Sequence, residues 1–359
     1  MSDHLFFVGT YSQRGSKGIY AVRVASATGV MTIVGDTPAN NASFLCLSPD
    51  AKYLFAVSET GERPDGKRGG AVTSFAVQGT SLKQLSEQPV EGAYTCHVAC
   101  SPNGKWLVAS NYGDGTHAVV PVGANGTLGK PTDIVTNAGA PGPNQKSGHA
   151  HSATFSSDGK FAYACDLGLD RVCVYRLDDK SGKLTLASAA VLPPGAGPRH
   201  FAVHPKLATA YAINELNSTI TAFTRNPSTG ALSAKQTVET LPGEVEAERR
   251  AGSRKNSCAD IHLSANGRTL YGSNRGHDSV AVFAVDERTG QLTATGHVST
   301  GGKNPRNFSL IPKTPLLLAA NQDGDNILAF RHSDTAGNVP KPTGATLAVP
   351  APVCILPVP

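Results

Sequence analysis

The stretch Tyr211-Ala212-Ile213-Asn214-Glu215-Leu216 reads as a short apolar strand that ends on a polar pair. Its core, Ala212-Ile213-Asn214-Glu215, has six counterparts along the chain. They are Val8-Gly9-Thr10-Tyr11, Ala56-Val57-Ser58-Glu59, Ala109-Ser110-Asn111-Tyr112, Ala164-Cys165-Asp166-Leu167, Gly272-Ser273-Asn274-Arg275 and Ala319-Ala320-Asn321-Gln322. The seven starts, at 8, 56, 109, 164, 212, 272 and 319, are spaced by 48, 53, 55, 48, 60 and 47 residues. A repeat of roughly 40 to 60 residues carrying several short strands is the mark of a β-propeller. The seven repeats fill the 359 residues.

Each repeat resolves into four strands, A to D. Strand A ends in a turn such as Ser48-Pro49-Asp50, Ser101-Pro102-Asn103-Gly104, Ser157-Asp158-Gly159 or Ala265-Asn266-Gly267, chemistry that reverses a chain between antiparallel strands. Strand B carries the tetrapeptide. Strand C alternates, as in Val172-Cys173-Val174-Tyr175 and Val280-Ala281-Val282-Phe283, and D opens on a Gly-x-Leu turn at Gly182, Gly230 and Gly290. No stretch of ten or more residues holds a helical apolar period, so helix is expected to be nearly absent. The chain starts on a B strand, Leu5-Phe6-Phe7-Val8, and ends on Pro352-Val353-Cys354-Ile355-Leu356-Pro357-Val358-Pro359. That last segment matches the A pattern of Pro198-Arg199-His200-Phe201-Ala202-Val203-His204-Pro205. The expectation is an all-β, seven-bladed propeller of four-stranded blades, one domain over residues 1–359, with the C-terminal strand closing blade 1 and leaving no open edge.

Composition narrows the class. Seven cysteines with no zinc-type spacing, several of them within apolar strands (Cys46, Cys100, Cys173), suggest reduced thiols and a cytoplasmic protein. Nothing is long enough for a signal peptide or a membrane span, so no membrane partner is expected. A net charge of +5 from scattered Lys and Arg argues against nucleic acid and suits a small anionic ligand. A monomer or weak homo-oligomer is expected.

Topology selects one face. The start of A, the end of B and the B–C and D–A connections share an end of each blade. The longest connections, at 59–70, 137–150 and 241–257, belong to that set, and long loops on one side of a repeat scaffold mark its binding face. Aligned six residues before the A–B turn stand Ser43, Cys96, His151, Arg199, Ala259 and Arg306. The fourth tetrapeptide residues are Tyr11, Glu59, Tyr112, Leu167, Glu215, Arg275 and Gln322. Equivalent places thus hold unlike polar residues, which is how a ring of repeats builds an asymmetric site. His151, Arg199, Glu215 and Arg275 are the candidate catalytic group; His97, Tyr112, His149, His200 and Arg306 are candidates for substrate binding. Each also has a plain structural reading, Glu215 as a rim carboxylate paired with Arg199 and the histidines as bonded to loop carbonyls. A histidine metal site (His97, His149, His151, His200) lacks ligand spacing, so no metal is expected.

At these residues the chain resembles the lactonase family of seven-bladed propellers, which includes bacterial 6-phosphogluconolactonases and fungal muconate lactonizing enzymes. The resemblance rests on Gly197-Pro198-Arg199-His200, Val203-His204-Pro205, Asn214-Glu215-Leu216-Asn217-Ser218, Ala259-Asp260-Ile261-His262 and Asp170-Arg171-Val172-Cys173-Val174. It implies a His, two Arg and a Glu in the site, matched by His151, Arg199, Glu215 and Arg275; His149 competes for the histidine role. It further implies a cofactor-free hydrolase opening an anionic sugar δ-lactone, either 6-phosphogluconolactone or a glucaro- or galactaro-1,5-lactone. Either Glu215 or His151 could take a proton from water, and an Arg could stabilise the oxyanion or grip the substrate's anionic group. A muconate-type cycloisomerase and a non-catalytic protein-binding propeller are the alternatives.

Overall fold

The computed structural model describes residues 3–63, 66–143 and 145–359. Residues 64–65 and 144, inside the connections at 59–70 and 137–150, lie outside the described residues, as do residues 1–2. Blade 1 begins with β1 (Asp3–Thr10), β2 (Ile19–Ala25) and β3 (Met31–Thr37). Blade 2 is β4 (Leu45–Leu47), β5 (Tyr53–Ser58), β6 (Ala71–Gln78) and β7 (Ser81–Pro89). Blade 3 is β8 (Thr95–Cys100), β9 (Trp106–Asn111), β10 (Thr116–Pro121) and β11 (Asp133–Thr136). Blade 4 is β12 (Ala150–Phe155), β13 (Phe161–Asp166), β14 (Arg171–Leu177) and β15 (Leu184–Val191). Blade 5 is β16 (Pro198–Val203), β17 (Thr209–Asn214), β18 (Thr219–Arg225) and β19 (Leu232–Glu239). After helix α1 (Gly243–Arg250), blade 6 is β20 (Ser257–Leu263), β21 (Thr269–Arg275), β22 (Ser279–Val285) and β23 (Leu292–Ser299). Blade 7 is β24 (Pro305–Leu310), β25 (Leu316–Asn321), β26 (Asn326–Arg331) and β27 (Lys341–Ala348). Finally β28 (Pro352–Pro357) returns to pair antiparallel with β1, giving blade 1 the order β28-β1-β2-β3. The seven innermost strands, β4, β8, β12, β16, β20, β24 and β28, pack pairwise into a closed ring. The expected architecture and closure are both present.

Seven apolar clusters hold the ring, one at each blade–blade junction. Phe161, Tyr163, Phe201 and Phe223, for instance, join blades 4 and 5. A fully buried Phe of this kind stabilises by about 1.5–3 kcal/mol. The A–B turns repeat one clasp: the Ser hydroxyl donates to an Asx oxygen two residues on, at 2.7 Å in Ser48–Asp50, Ser101–Asn103, Ser156–Asp158 and Ser264–Asn266. The same Ser oxygen then accepts the N–H that opens strand B, as from Tyr53 and Trp106.

Helix α1 stands within the long connection at 241–257, where the sequence shows no helical apolar period. Eight residues are too short for an apolar period to show, and its order comes from charge instead. Glu244 and Glu246 occupy the first turn, Arg249 and Arg250 the last, and Glu246 Oε1 lies 2.7 Å from both Arg249 Nη2 and Arg250 Nε.

Closure by β28 buries Val353, Cys354 and Ile355 against blades 1, 2 and 7. Deleting residues 350–359 should leave an open ring that elutes as aggregate and unfolds without a cooperative transition. Ile355→Ala should keep the fold and cost about 2–5 kcal/mol by chemical denaturation; a wild-type profile for the deletion would contradict the closure.

Candidate functional site

The side chains at the channel mouth are aimed by one repeated irregularity. In β8, β12, β16 and β24 the pairing with strand B skips a residue, so that Cys96, His151, Arg199 and Arg306 each stand as the extra residue of a β-bulge. Val353 does the same in β28, and β20 is bulged between Cys258 and Ile261. A bulge bends its strand and re-aims side chains. The residue after each bulge also lines the channel, one tier deeper: His97, Ser152, His200 and Asp260, with Phe44 beside them, border a cavity of about 380 Å³ that opens toward the A–B turns.

At the mouth, Glu215 Oε2 lies 2.9 Å from both Arg199 Nε and Arg275 Nη2. Arg199 is buried, its Nη1 donating to Ala259 O at 2.6 Å and to His200 Nε2 at 3.1 Å. Arg275 Nη2 also donates to Cys258 O at 2.7 Å. Burial alone would raise the pKa of Glu215, but Arg275, Arg199 and Arg306 outweigh it and hold the carboxyl below its ordinary value. Burial and repulsion from Arg306 and Arg275 bring Arg199 down to about 10, so it stays cationic at neutral pH. Arg306 lies over the Tyr11 ring at 5.5 Å and forms no hydrogen bond or ion pair within the described residues. Across the mouth the Tyr11 hydroxyl donates to Glu59 Oε2 at 3.0 Å.

His151 is buried, with Nδ1 at 3.9 Å from Cys96 Sγ and ring contacts to Tyr112 (5.7 Å) and His200 (5.4 Å). Burial, then Arg199, His200, Arg306 and Arg275, keep it neutral with a pKa well below the usual value. His149 instead stacks on Tyr112 at 4.4 Å and hydrogen-bonds its carbonyl through Nδ1. Of the two competing histidines, His151 is therefore the one turned into the channel. His97 and His200 belong to the deeper tier, 5.5 Å apart, and burial lowers both, His200 to about 4.

Three polar residues of the site escaped the sequence: Glu59, Asp260 and Asn307. Glu59 stood in the same alignment column as Glu215. Asp260 and Asn307 follow the bulged residues, a column in which only His97 and His200 drew attention. A larger cavity of about 750 Å³ lies at the far face, between the A–B turns of blades 6 and 7. Among the described residues no three or more His, Cys, Asp or Glu side chains are grouped to hold a metal ion, and no helix is long and apolar enough to cross a membrane.

A closed ring of seven four-stranded blades defines a β-propeller. The family model for the lactonase, 7-bladed beta-propeller, matches residues 5–357, and the chain belongs to this family. The 6-phosphogluconolactonase of Bacillus subtilis is 31% identical over 357 residues, 99% of this chain and 98% of that protein. Among solved structures, a putative 6-phosphogluconolactonase from Bacteroides fragilis is 33% identical with a TM-score of 0.89, covering 100% of this chain and 98% of the other. A periplasmic gluconolactonase from Pseudomonas aeruginosa is 31% identical with a TM-score of 0.91, covering 100% and 99%. The expectation of a lactone-hydrolysing enzyme is met at the level of family and enzyme class.

Buried and half-buried histidines set an acid limit. Burial lowers the pKa of His97, His117, His151, His200, His204, His277 and His332, whereas His262 is raised because Asp260 outweighs burial. The unfolded chain, with histidines near 6.5, therefore binds more protons than the folded one once pH drops below about 6.5. Stability from the seven lowered groups is complete above that pH and is lost on acidification; His262 opposes this with a single group. Urea midpoints should fall from about pH 7.5 to about pH 5, and a flat or rising midpoint would contradict the burial of these rings as neutral species.

Proposed function

We propose that the protein hydrolyses an anionic sugar δ-lactone, with 6-phosphogluconolactone the foremost candidate. The observation that carries this reading is the charge balance at the mouth. Three guanidiniums (Arg199, Arg275, Arg306) face two carboxylates (Glu215, Glu59), an excess of one positive charge, and among the described residues Arg306 has no carboxylate partner, only the Tyr11 ring. A half-buried guanidinium without a carboxylate partner is costly, so one at a channel mouth suits an anionic ligand. The relatives named 6-phosphogluconolactonase support a phosphate as that anion. The carboxylate of an aldaro-1,5-lactone would meet the same guanidinium equally well.

In this proposal Glu215, through its second oxygen, accepts a proton from water as the water oxygen attacks C1. The carbonyl oxygen gains the negative charge beside Arg275. The bond from C1 to the ring oxygen then breaks, and the ring oxygen takes up the proton, leaving the open hydroxy acid. A carboxylate held between two cations is a weak base, but lactones are reactive esters and a modest base suffices. His151, neutral and bulged into the channel, is placed to contact the sugar or to pass the proton.

A protein-binding propeller would need aromatic and apolar hot spots on the mouth face. Of the large exposed apolar residues, Ile33, Val34, Ile134, Leu186 and Val191 lie on outer strands and Val30 immediately before one, with Tyr94 and Leu216 the exceptions near the mouth. Seven free cysteines, five of them buried, favour a cytoplasmic protein; fractionation of the native host tests this against the periplasmic location of the Pseudomonas relative.

The test is hydrolysis of 6-phosphogluconolactone, glucono-1,5-lactone, glucaro-1,5-lactone and galactaro-1,5-lactone side by side, corrected for spontaneous opening. Glu215→Gln should lower kcat about 100-fold with little change in KM. Arg306→Ala should raise KM for the substrates that carry an extra anionic group and leave KM for glucono-1,5-lactone alone. Equal effects on charged and uncharged lactones would remove Arg306 from anion binding. Activity should survive exhaustive chelation; its loss, with restoration by a divalent ion, would overturn the metal-free mechanism.

A further inference from the structure

The geometry points to Asp260 as a positioning residue for the mouth site: through His200 it fixes the orientation of Arg199, and with it the partner of Glu215. This inference rests on Glu215 and Arg199 serving lactone opening. Asp260, His200 and Arg199 are all buried, at 3%, 7% and 2% exposure. Asp260 Oδ1 accepts from His200 Nδ1 at 2.8 Å and from Ile261 N at 3.0 Å. Its Oδ2 accepts from His262 Nε2 at 2.9 Å and Asn307 Nδ2 at 2.5 Å, with Phe308 N at 3.5 Å.

The direction of these bonds is forced. An arginine N–H can only donate, so at the 3.1 Å contact with Arg199 Nη1 the Nε2 of His200 must be the lone-pair nitrogen. The single proton of neutral His200 then sits on Nδ1, facing a carboxylate that can only accept. With the opposite tautomer a donor would face the guanidinium and a lone pair would face the carboxylate. Asp260 thus holds His200 as an acceptor for Arg199. Arg199 is pinned at Nη1 by His200 and by Ala259 O, and its Nε is brought to 2.9 Å from Glu215. A carboxylate that orients an imidazole in this way acts on the reacting groups without touching substrate. The same carboxylate is tied to ring closure, because Asn307, which donates to it, accepts the Ile355 N–H of β28 at 2.7 Å.

The first test needs no variant. Long-range 1H–15N correlation of histidine-labelled protein should show His200 unprotonated at Nε2 and protonated at Nδ1 from about pH 6 to about pH 8; an Nε2–H tautomer would overturn the proposal. Asp260→Asn presents an amide to donors, so it should abolish the uniform Nδ1–H tautomer of His200. It should also lower kcat about 10- to 100-fold with KM changed less than about threefold. His262→Phe removes a different donor to the same carboxylate and should leave kcat within about twofold. A fall in kcat for His262→Phe as large as that for Asp260→Asn would mark Asp260 as a structural anchor only, and unchanged kcat with an unchanged tautomer in Asp260→Asn would overturn the proposal. A wild-type protein inactive on all four lactones would count against the lactone reading alone. The tautomer of His200 before and after Asp260→Asn would then still decide the role of Asp260.

Discussion

Pairing between the first strand and the last is the constraint on which the rest depends. Val8 and Gly9 meet Ile355 and Cys354, residues that are more than 340 positions apart in sequence. Each blade is too small to bury its own two faces and relies on both neighbours, so the seven apolar junctions form a complete set only when the ring is closed. Closure also sets the channel, because its wall is the ring of innermost strands. A site that draws on blades 4, 5, 6 and 7 at once keeps its distances only if that ring keeps its diameter.

Within the ring, one backbone irregularity does most of the work of building a site. The same bulge recurs at the start of the inner strand in five blades, and in each of these it turns a different residue toward the axis: a thiol, an imidazole, two guanidiniums and a valine. Repeated scaffold geometry supplies the positions, and divergence between repeats supplies the chemistry. The following residue of each strand forms a second layer, in which Asp260, His200 and Asn307 support the first from below.

The electrostatics of this arrangement do not resemble a device for stability. Buried ion pairs seldom stabilise a fold relative to apolar packing, and this one gathers three cations around two anions. The compensation is local: Glu215 between two guanidiniums, Glu59 on Tyr11, Asp260 beneath His200. The charge left over belongs to Arg306. Burial lowers the pKa of the channel histidines His97, His151 and His200, while Asp260 raises that of His262, so the channel is polar with its imidazoles held in different protonation tendencies.

Much of this was legible in the residues themselves. A tetrapeptide repeated seven times, turns rich in Ser, Asx and Gly, and a surplus strand at the C-terminus determine a closed seven-bladed propeller, because strand period and turn chemistry are local properties. Column comparison between repeats also picked out Arg199, Glu215 and Arg275, since unlike polar residues at equivalent places break the structural repeat. Helix α1 was not visible, being too short for a period and ordered by its end charges. Nor could sequence separate His149 from His151, rank His97 and His200 below the mouth, or pair Glu59 with Tyr11. Those facts depend on where a one-residue bulge falls and on contacts between strands 60 residues apart, such as Arg199 with Ala259 and His200 with Asp260. Spacing along the chain says which residues share a face; only the folded ring brings two of them within hydrogen-bonding distance, because that distance is set by how neighbouring blades pack.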